Sequence, residues 1–258
     1  MTLEARKLSA GYGEHVVLPE LSLTLERGTA TALVGANGSG KSTLLRVLSR
    51  LLPPRSGAVY LDGKAIHLEP TKEVARKLAF LPQRGESPEG LTVEELVSQG
   101  RFPHRGPFGG LSAADREAIA RAISVVALEN HASRPVELLS GGERQRAFIA
   151  MALAQETELL LLDEPTTFLD LKHQLEVLEL VAKLHREQQK TVVMVLHDLN
   201  LAARYARRMV AIKQGKISAQ GSPDEVMRPE VLREVFGIEA EVIRDPRFGT
   251  PHCLAYAG

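Results

Sequence analysis

Leu21, Leu23 and Leu25 alternate with Ser22, Thr24 and Glu26, a period of two that predicts a strand with one buried face. Val59-Tyr60-Leu61 runs into Asp62-Gly63, a dipeptide suited to a hairpin turn. Inside this strand-rich start lies a different pattern. Thr31-Ala32-Leu33-Val34 is apolar, feeds a glycine-rich stretch, and leads into Thr43-Leu44-Leu45-Arg46-Val47-Leu48, which reads as strand, loop and helix. From about Thr92 to Ala154 the pattern is mostly helical, broken by glycine and proline at 103–110 and near Pro135. Ser112 is placed as the N-cap of one helix, with acidic residues in its first turn. Two short apolar strands follow, Leu159 to Leu162 and Val192 to Leu196. The helix between them is expected to bury Leu171, Leu175, Leu178, Ala182 and Leu184 on one face. Strand, helix and strand of this length form a βαβ unit, so the core sheet should be largely parallel. The tail after Gly221 is mixed and assigns no clear element.

Composition narrows the class without changing this picture. The 258 residues are 44% hydrophobic and 25% charged, ordinary for one folded unit with room for an inserted lobe. No solenoid-length repeat or low-complexity segment appears. Lys plus Arg and Asp plus Glu both number 32, so no net field recruits nucleic acid or an anionic bilayer. Cys253 is the only cysteine, which suits a reducing compartment. Met1 to Arg6 lacks the apolar core of a signal peptide, and the longest apolar runs are too short to span a bilayer. A membrane role would have to come through a partner.

Gly35-Ala36-Asn37-Gly38-Ser39-Gly40-Lys41-Ser42-Thr43 fits the phosphate-loop pattern G-x-x-x-x-G-K-[ST]. A triphosphate needs many donors close to the backbone, where side chains would block the approach. Glycines let successive N–H groups turn inward, and the next helix aims its positive end at the phosphates. Lys41 would sit against the β- and γ-phosphates and Ser42 would bind Mg²⁺. A structural glycine turn could share these letters; the strand before and the helix after favour the phosphate reading.

Leu159-Leu160-Leu161-Leu162 ends in Asp163-Glu164. Two acids beside buried leucines need a reason, because an unpaired buried charge is costly. Mg²⁺ supplies one: Asp163 would hold it through its water shell while Glu164 orients and deprotonates the attacking water. A merely solvated strand end is the bland alternative. Gln83 and His197 also end apolar strands, and such ends open onto the ligand crevice of a parallel sheet. Gln83 could contact Mg²⁺ or the lytic water, and His197 the γ-phosphate. Ser140-Gly141-Gly142-Glu143 opens another helix, either a second anion site or a plain cap. Since the chain has one lysine loop, the economical reading is that this turn completes a neighbour's nucleotide pocket.

Together these residues resemble the ATP-binding-cassette (ABC) ATPases, over nearly the whole chain and in that family's order: phosphate loop, Gln83, Ser140-Gly141-Gly142, Asp163-Glu164, Asp170 and His197. The resemblance implies an α/β fold. Its phosphate-loop core has a mainly parallel sheet and an N-terminal antiparallel β part (about 1–84 and 155–258), with an inserted helical subdomain (about 85–154) carrying the signature turn. It implies a head-to-tail homodimer holding two ATP molecules with Mg²⁺, each gripped by one copy's phosphate loop and the other's signature. Tyr12 matches the aromatic that stacks on adenine, and Asp170 the loop that crosses between subunits. Position 143 departs from the family's usual Gln. Thr92-Val93-Glu94-Glu95-Leu96-Val97, Phe148 to Gln155, Glu164 to Asp170, His197-Asp198-Leu199-Asn200 and the tail motif Asp245-Pro246…Gly249-Thr250-Pro251 look like ferric-siderophore importers; haem and cobalamin importers share much of this. Partners would be transmembrane permease subunits and, indirectly, a substrate-binding protein, at the cytoplasmic face of the membrane. Part of the permease contact is expected from 84–110. A soluble ABC protein of translation or DNA repair is the rival, but the chain has one cassette and no heptad run.

Overall fold

The computed structural model describes residues 2–83, 85, 88–106 and 109–256. The chain forms two compact units, Met1–Glu69 with His185–Gly258, and Pro70–Leu184. The segment expected to be helical, about 85–154, lies inside the second unit. Of the permease-contact segment expected over 84–110, Arg84, Glu86, Ser87, Pro107 and Phe108 fall outside the described residues.

The first unit begins with β1 (Leu3–Tyr12), β2 (His15–Leu25), β3 (Ala30–Val34), α1 (Lys41–Leu48), β4 (Ser56–Leu61) and β5 (Lys64–Ala65). The leucine alternation in β2 is real: Leu21, Leu23 and Leu25 are buried and the residues between them exposed. An antiparallel sheet forms in the order β2-β1-β4-β5. Asp62 and Gly63 both take positive φ, 53° and 77°, the twist a two-residue hairpin requires, and Leu61 pairs with Lys64.

The second unit holds α2 (Thr71–Ala75), β6 (Leu78–Leu81), α3 (Val93–Gln99), α4 (Ala113–Val125), α5 (Gly141–Ala154), β7 (Leu159–Leu162) and most of α6 (Leu171–Gln188). Strands β6 and β7 pair in parallel, while α3, α4 and α5 pack on one another. Each of these three helices starts with a reciprocal capping box, Thr92 with Glu95, Ser112 with Asp115, and Ser140 with Glu143, which satisfies two otherwise orphaned amides per helix. The buried face of α6 differs from expectation. Its stripe is Val177, Leu178, Val181 and Leu184, whereas Leu171 is 67% exposed and Leu175 and Ala182 are half-buried. The spacing of one, three and three residues is a truer helical face than the wider one drawn through Leu171.

The chain returns to the first unit with β8 (Thr191–Val195), α7 (Leu199–Tyr205), β9 (Arg208–Lys213), β10 (Lys216–Gly221), α8 (Pro223–Val226), α9 (Pro229–Phe236), β11 (Glu239–Arg244) and β12 (Pro251–Tyr256). β3 lies between β8 and β9, parallel to both, and β10 adds antiparallel to β9. Every residue of β3 and β8 is buried, the mark of a sheet covered on both faces. The illegible tail resolves into the β11–β12 hairpin. Its Asp245–Thr250 loop closes when the Asp245 carboxylate accepts the N–H groups of Arg247 and Phe248 at 2.8 and 3.0 Å. No helix among the described residues is long and apolar enough to cross a membrane.

Candidate nucleotide site

In the first unit the parallel register sets the chemistry. Leu33 pairs with Val195, so the loop after β3 and His197 after β8 leave the sheet at the same edge, the carboxyl ends of the strands. His197 is exposed there. The phosphate loop, Gly35 to Thr43, then turns sharply. Gly35, Gly38 and Gly40 have φ of 151°, 75° and 104°, conformations that side chains resist. A Cβ on Gly35 would also lie 2.2 Å from the Ile212 carbonyl oxygen, so the loop is pressed against β9. Helix α1 starts at Gly40 without any side-chain cap and without an acidic residue in its first turn. No acid of its own first turn offsets the positive end of the helix, which suits an anion.

Lys41 is buried, and its ammonium donates to the carbonyls of Gly35 and Ala36 at 2.8 and 2.9 Å. The cation is thus curled into the loop. The buried Ser39 hydroxyl has no hydrogen-bond partner among the described residues. A cradle of left-handed glycines, an uncapped helix and a buried hydroxyl awaiting a partner fit a nucleotide triphosphate. Tyr12 ends β1, 44% exposed, and its hydroxyl accepts from Arg46 of α1 at 3.3 Å. That bond brings the aromatic ring to the helix that follows the loop.

In the second unit, Leu81 pairs with Leu162 and the Asp163 N–H reaches the Leu81 carbonyl at 2.9 Å. The two strands therefore deliver Gln83 and Glu164 side by side. The Gln83 amide donates to Glu164 Oε2, and the Thr167 hydroxyl donates to the same oxygen at 2.8 Å. Glu164 itself has a φ of 51°, strained for a residue with a side chain and characteristic of functional turns. Two donors on one oxygen fix the orientation of the carboxylate. Thr167 was given no role by the sequence reading, although its hydroxyl three residues beyond an acid is a signal for such a bond. Asp163 is 1% exposed. Its carboxylate and the Gln83 amide oxygen, both in this unit, are oxygen donors of the hard type that Mg²⁺ prefers.

The Ser140–Glu143 turn differs from the phosphate loop. Glu143 accepts the Ser140 N–H at 2.8 Å, and the Ser140 hydroxyl accepts the Glu143 N–H at 3.3 Å. These bonds hold the Glu143 carboxyl below its ordinary pKa, with the Ser140 N–H the largest cause. The carboxylate at this position is thus the second half of a cap, which explains how the turn tolerates it. Ser140 keeps its own hydroxyl proton to donate outward. Asp170 accepts from the His173 N–H at 2.9 Å and from its Nδ1 at 2.7 Å, and the former chiefly lowers its pKa.

Comparison with known proteins agrees with this geometry. A family model described as "ABC transporter" matches residues 18–167. The iron(3+)-hydroxamate import ATP-binding protein FhuC of Bacillus subtilis is 52% identical over 255 residues, covering 99% of this chain and 95% of that protein. A solved structure described as a metal-chelate type ABC transporter, in an inward-facing conformation, superposes with a TM-score of 0.85 at 28% identity, covering 99% of this chain and 97% of that one. The dimeric structure of a bacterial ABC transporter cassette gives a TM-score of 0.75 at 31% identity, with 86% and 98% covered.

Proposed function

This chain belongs to the ABC transporter family, and from that premise we propose that it is the ATP-hydrolysing subunit of an importer for ferric siderophores or related iron complexes. The observation that carries the reading is the glycine loop opening onto an uncapped helix with Lys41 already turned into it. The cargo class rests on the 52% identity to an iron(3+)-hydroxamate import subunit across 99% of the chain. Membrane attachment would be through permease subunits, as the metal-chelate type transporter structure supports.

The residues divide the work. Gly35 to Gly40 present backbone donors to the phosphates, Lys41 and Thr43 flank them, and Tyr12 stacks on the base. Ser42, Gln83 and Asp163 would hold Mg²⁺, which when bound neutralises charge developing on the phosphate oxygens. Glu164, steadied by Gln83 and Thr167, takes a proton from the attacking water, and His197 bonds the terminal phosphate. In a head-to-tail homodimer the Ser140-Gly141-Gly142 turn of one copy donates to the terminal phosphate bound by the other. Asp170 crosses beside it. Closure is favourable only while that phosphate is attached, so hydrolysis releases the two copies and drives the permease.

Glu164→Gln tests this directly. The variant should bind Mg-ATP, lose nearly all turnover and accumulate as a dimer in size-exclusion chromatography with light scattering. A variant that stays monomeric at saturating Mg-ATP, or one that hydrolyses at the parent rate, removes the closure scheme or the base assignment respectively.

A further inference from the structure

Gly142 does not need to be glycine for its own backbone, since it sits within α5 and has no left-handed φ. What bars a side chain there is His173. A Cβ on Gly142 would lie 2.4 Å from His173 Cδ2 and 2.7 Å from Cγ. The ring cannot swing aside freely, because Nδ1 and the backbone N–H of His173 both donate to Asp170 Oδ1. One turn along both helices, Arg146 bonds Glu176 at 2.9 Å. On the other side, Leu169 Cδ2 comes within 3.7 Å of where a Gly141 Cβ would be. The Asp170 loop and the Ser140–Gly142 turn therefore share one contact surface, inside a single unit of a single copy.

We propose that His173 is a positioning residue that couples the Asp170 loop to the Ser140–Gly142 turn of its own copy, so that displacement of either is passed to the other. It rests on the reading that this turn serves the neighbour's nucleotide; His173 itself contacts no nucleotide. Its ring fills the space that Gly142 leaves, and its Nδ1 bond transmits the position of Asp170 to α5. A subunit that meets its partner at Asp170 would then align its signature turn at the same moment.

The experiment uses the Glu164→Gln protein as background and reads the ATP concentration at half-maximal dimerisation. Binding of a fluorescent ATP analogue to the monomer is followed in parallel. The parent must dimerise; if it does not, the closure scheme fails whatever His173 does. His173→Ala should raise the half-dimerisation concentration about tenfold, the scale of one lost hydrogen bond to a charged group, with monomer binding unchanged. His173→Asn, whose amide can still donate to Asp170, should recover most of the loss. Gly142→Ala should be impaired alone and less impaired when combined with His173→Ala, which removes the ring it strikes. The proposal is overturned if the parent dimerises and His173→Ala matches it. It is equally overturned if Asn is no better than Ala, or if Gly142→Ala is as impaired without the ring as with it.

Discussion

Arg101 is 5% exposed at the end of α3, and replacing it by Met should be the most destabilising single change in the second unit outside its apolar core. Its guanidinium donates to Asp115 at 2.8 Å, to the Ala154 carbonyl at 2.6 Å and to Glu156 at 2.7 Å. The Glu156 side chain is 44% exposed, so that pair adds roughly 0–1 kcal/mol. Asp115, with its side chain 8% exposed, loses its cation while buried, and the Ala154 carbonyl loses a charged donor. Breaking a buried pair by removing one partner costs about 3–5 kcal/mol. The lower end applies because Asp115 keeps the Ser112 hydroxyl and N–H. We expect a loss of about 3 kcal/mol in urea unfolding, or a Tm lowered by roughly 6–12 °C. Arg101→Met with Asp115→Asn should recover more than about 1 kcal/mol of this, because Asn can still cap α4 without a buried charge. The pH profile gives a second reading. The Ser112 hydroxyl and then Arg101 hold the Asp115 pKa well below its ordinary value. Its stabilisation is therefore complete above the unfolded value of about 4 and is lost as pH falls toward the depressed folded one. The Met variant should show a shallower loss across that window. A single variant within about 1 kcal/mol of the parent, or a double variant no better than the single, would refute the reasoning.

Other expectations follow from the nucleotide site and the tail. Lys41→Met should weaken ATP binding about 10- to 100-fold by isothermal titration, since a charged donor to phosphate is lost. Gln83→Ala removes one of the two donors to Glu164 Oε2, and turnover should fall about tenfold while ATP affinity stays within about threefold; an affinity loss as large as the rate loss would disprove the steadying role. Asn200→Ala removes bonds to Cys253 at 2.7 and 3.2 Å. Amide exchange in β12 should quicken by about tenfold, with the rest of the first unit unchanged.

Much of this was legible because it is local. The phosphate loop, the Asp62-Gly63 turn and the Ser112 and Ser140 caps are each set by a few consecutive residues, whose conformational needs the sequence states outright. Gln83 and Glu164 were legible as strand ends, but their bond depends on the β6–β7 register. The α6 face was misjudged because Leu171 sits at the helix start beside an exposed loop, where an apolar side chain has nothing to cover it. His173 against Gly142 joins segments distant in sequence, so nothing local to the Ser140–Glu143 turn signals that a side chain at 142 would strike that ring. The β11–β12 hairpin left little trace because its alternate residues are only half-buried, which dulls a period of two.

The Asn200 side chain offers its amide group to both the N–H and the C=O of Cys253, standing in for one residue of a third strand. A free ribbon of two strands invites other chains to pair along its rim, and this one carries outward Ile243, Leu254 and Tyr256. By occupying the rim at its middle, a single asparagine removes one N–H and one C=O from the row that another strand would need to pair with.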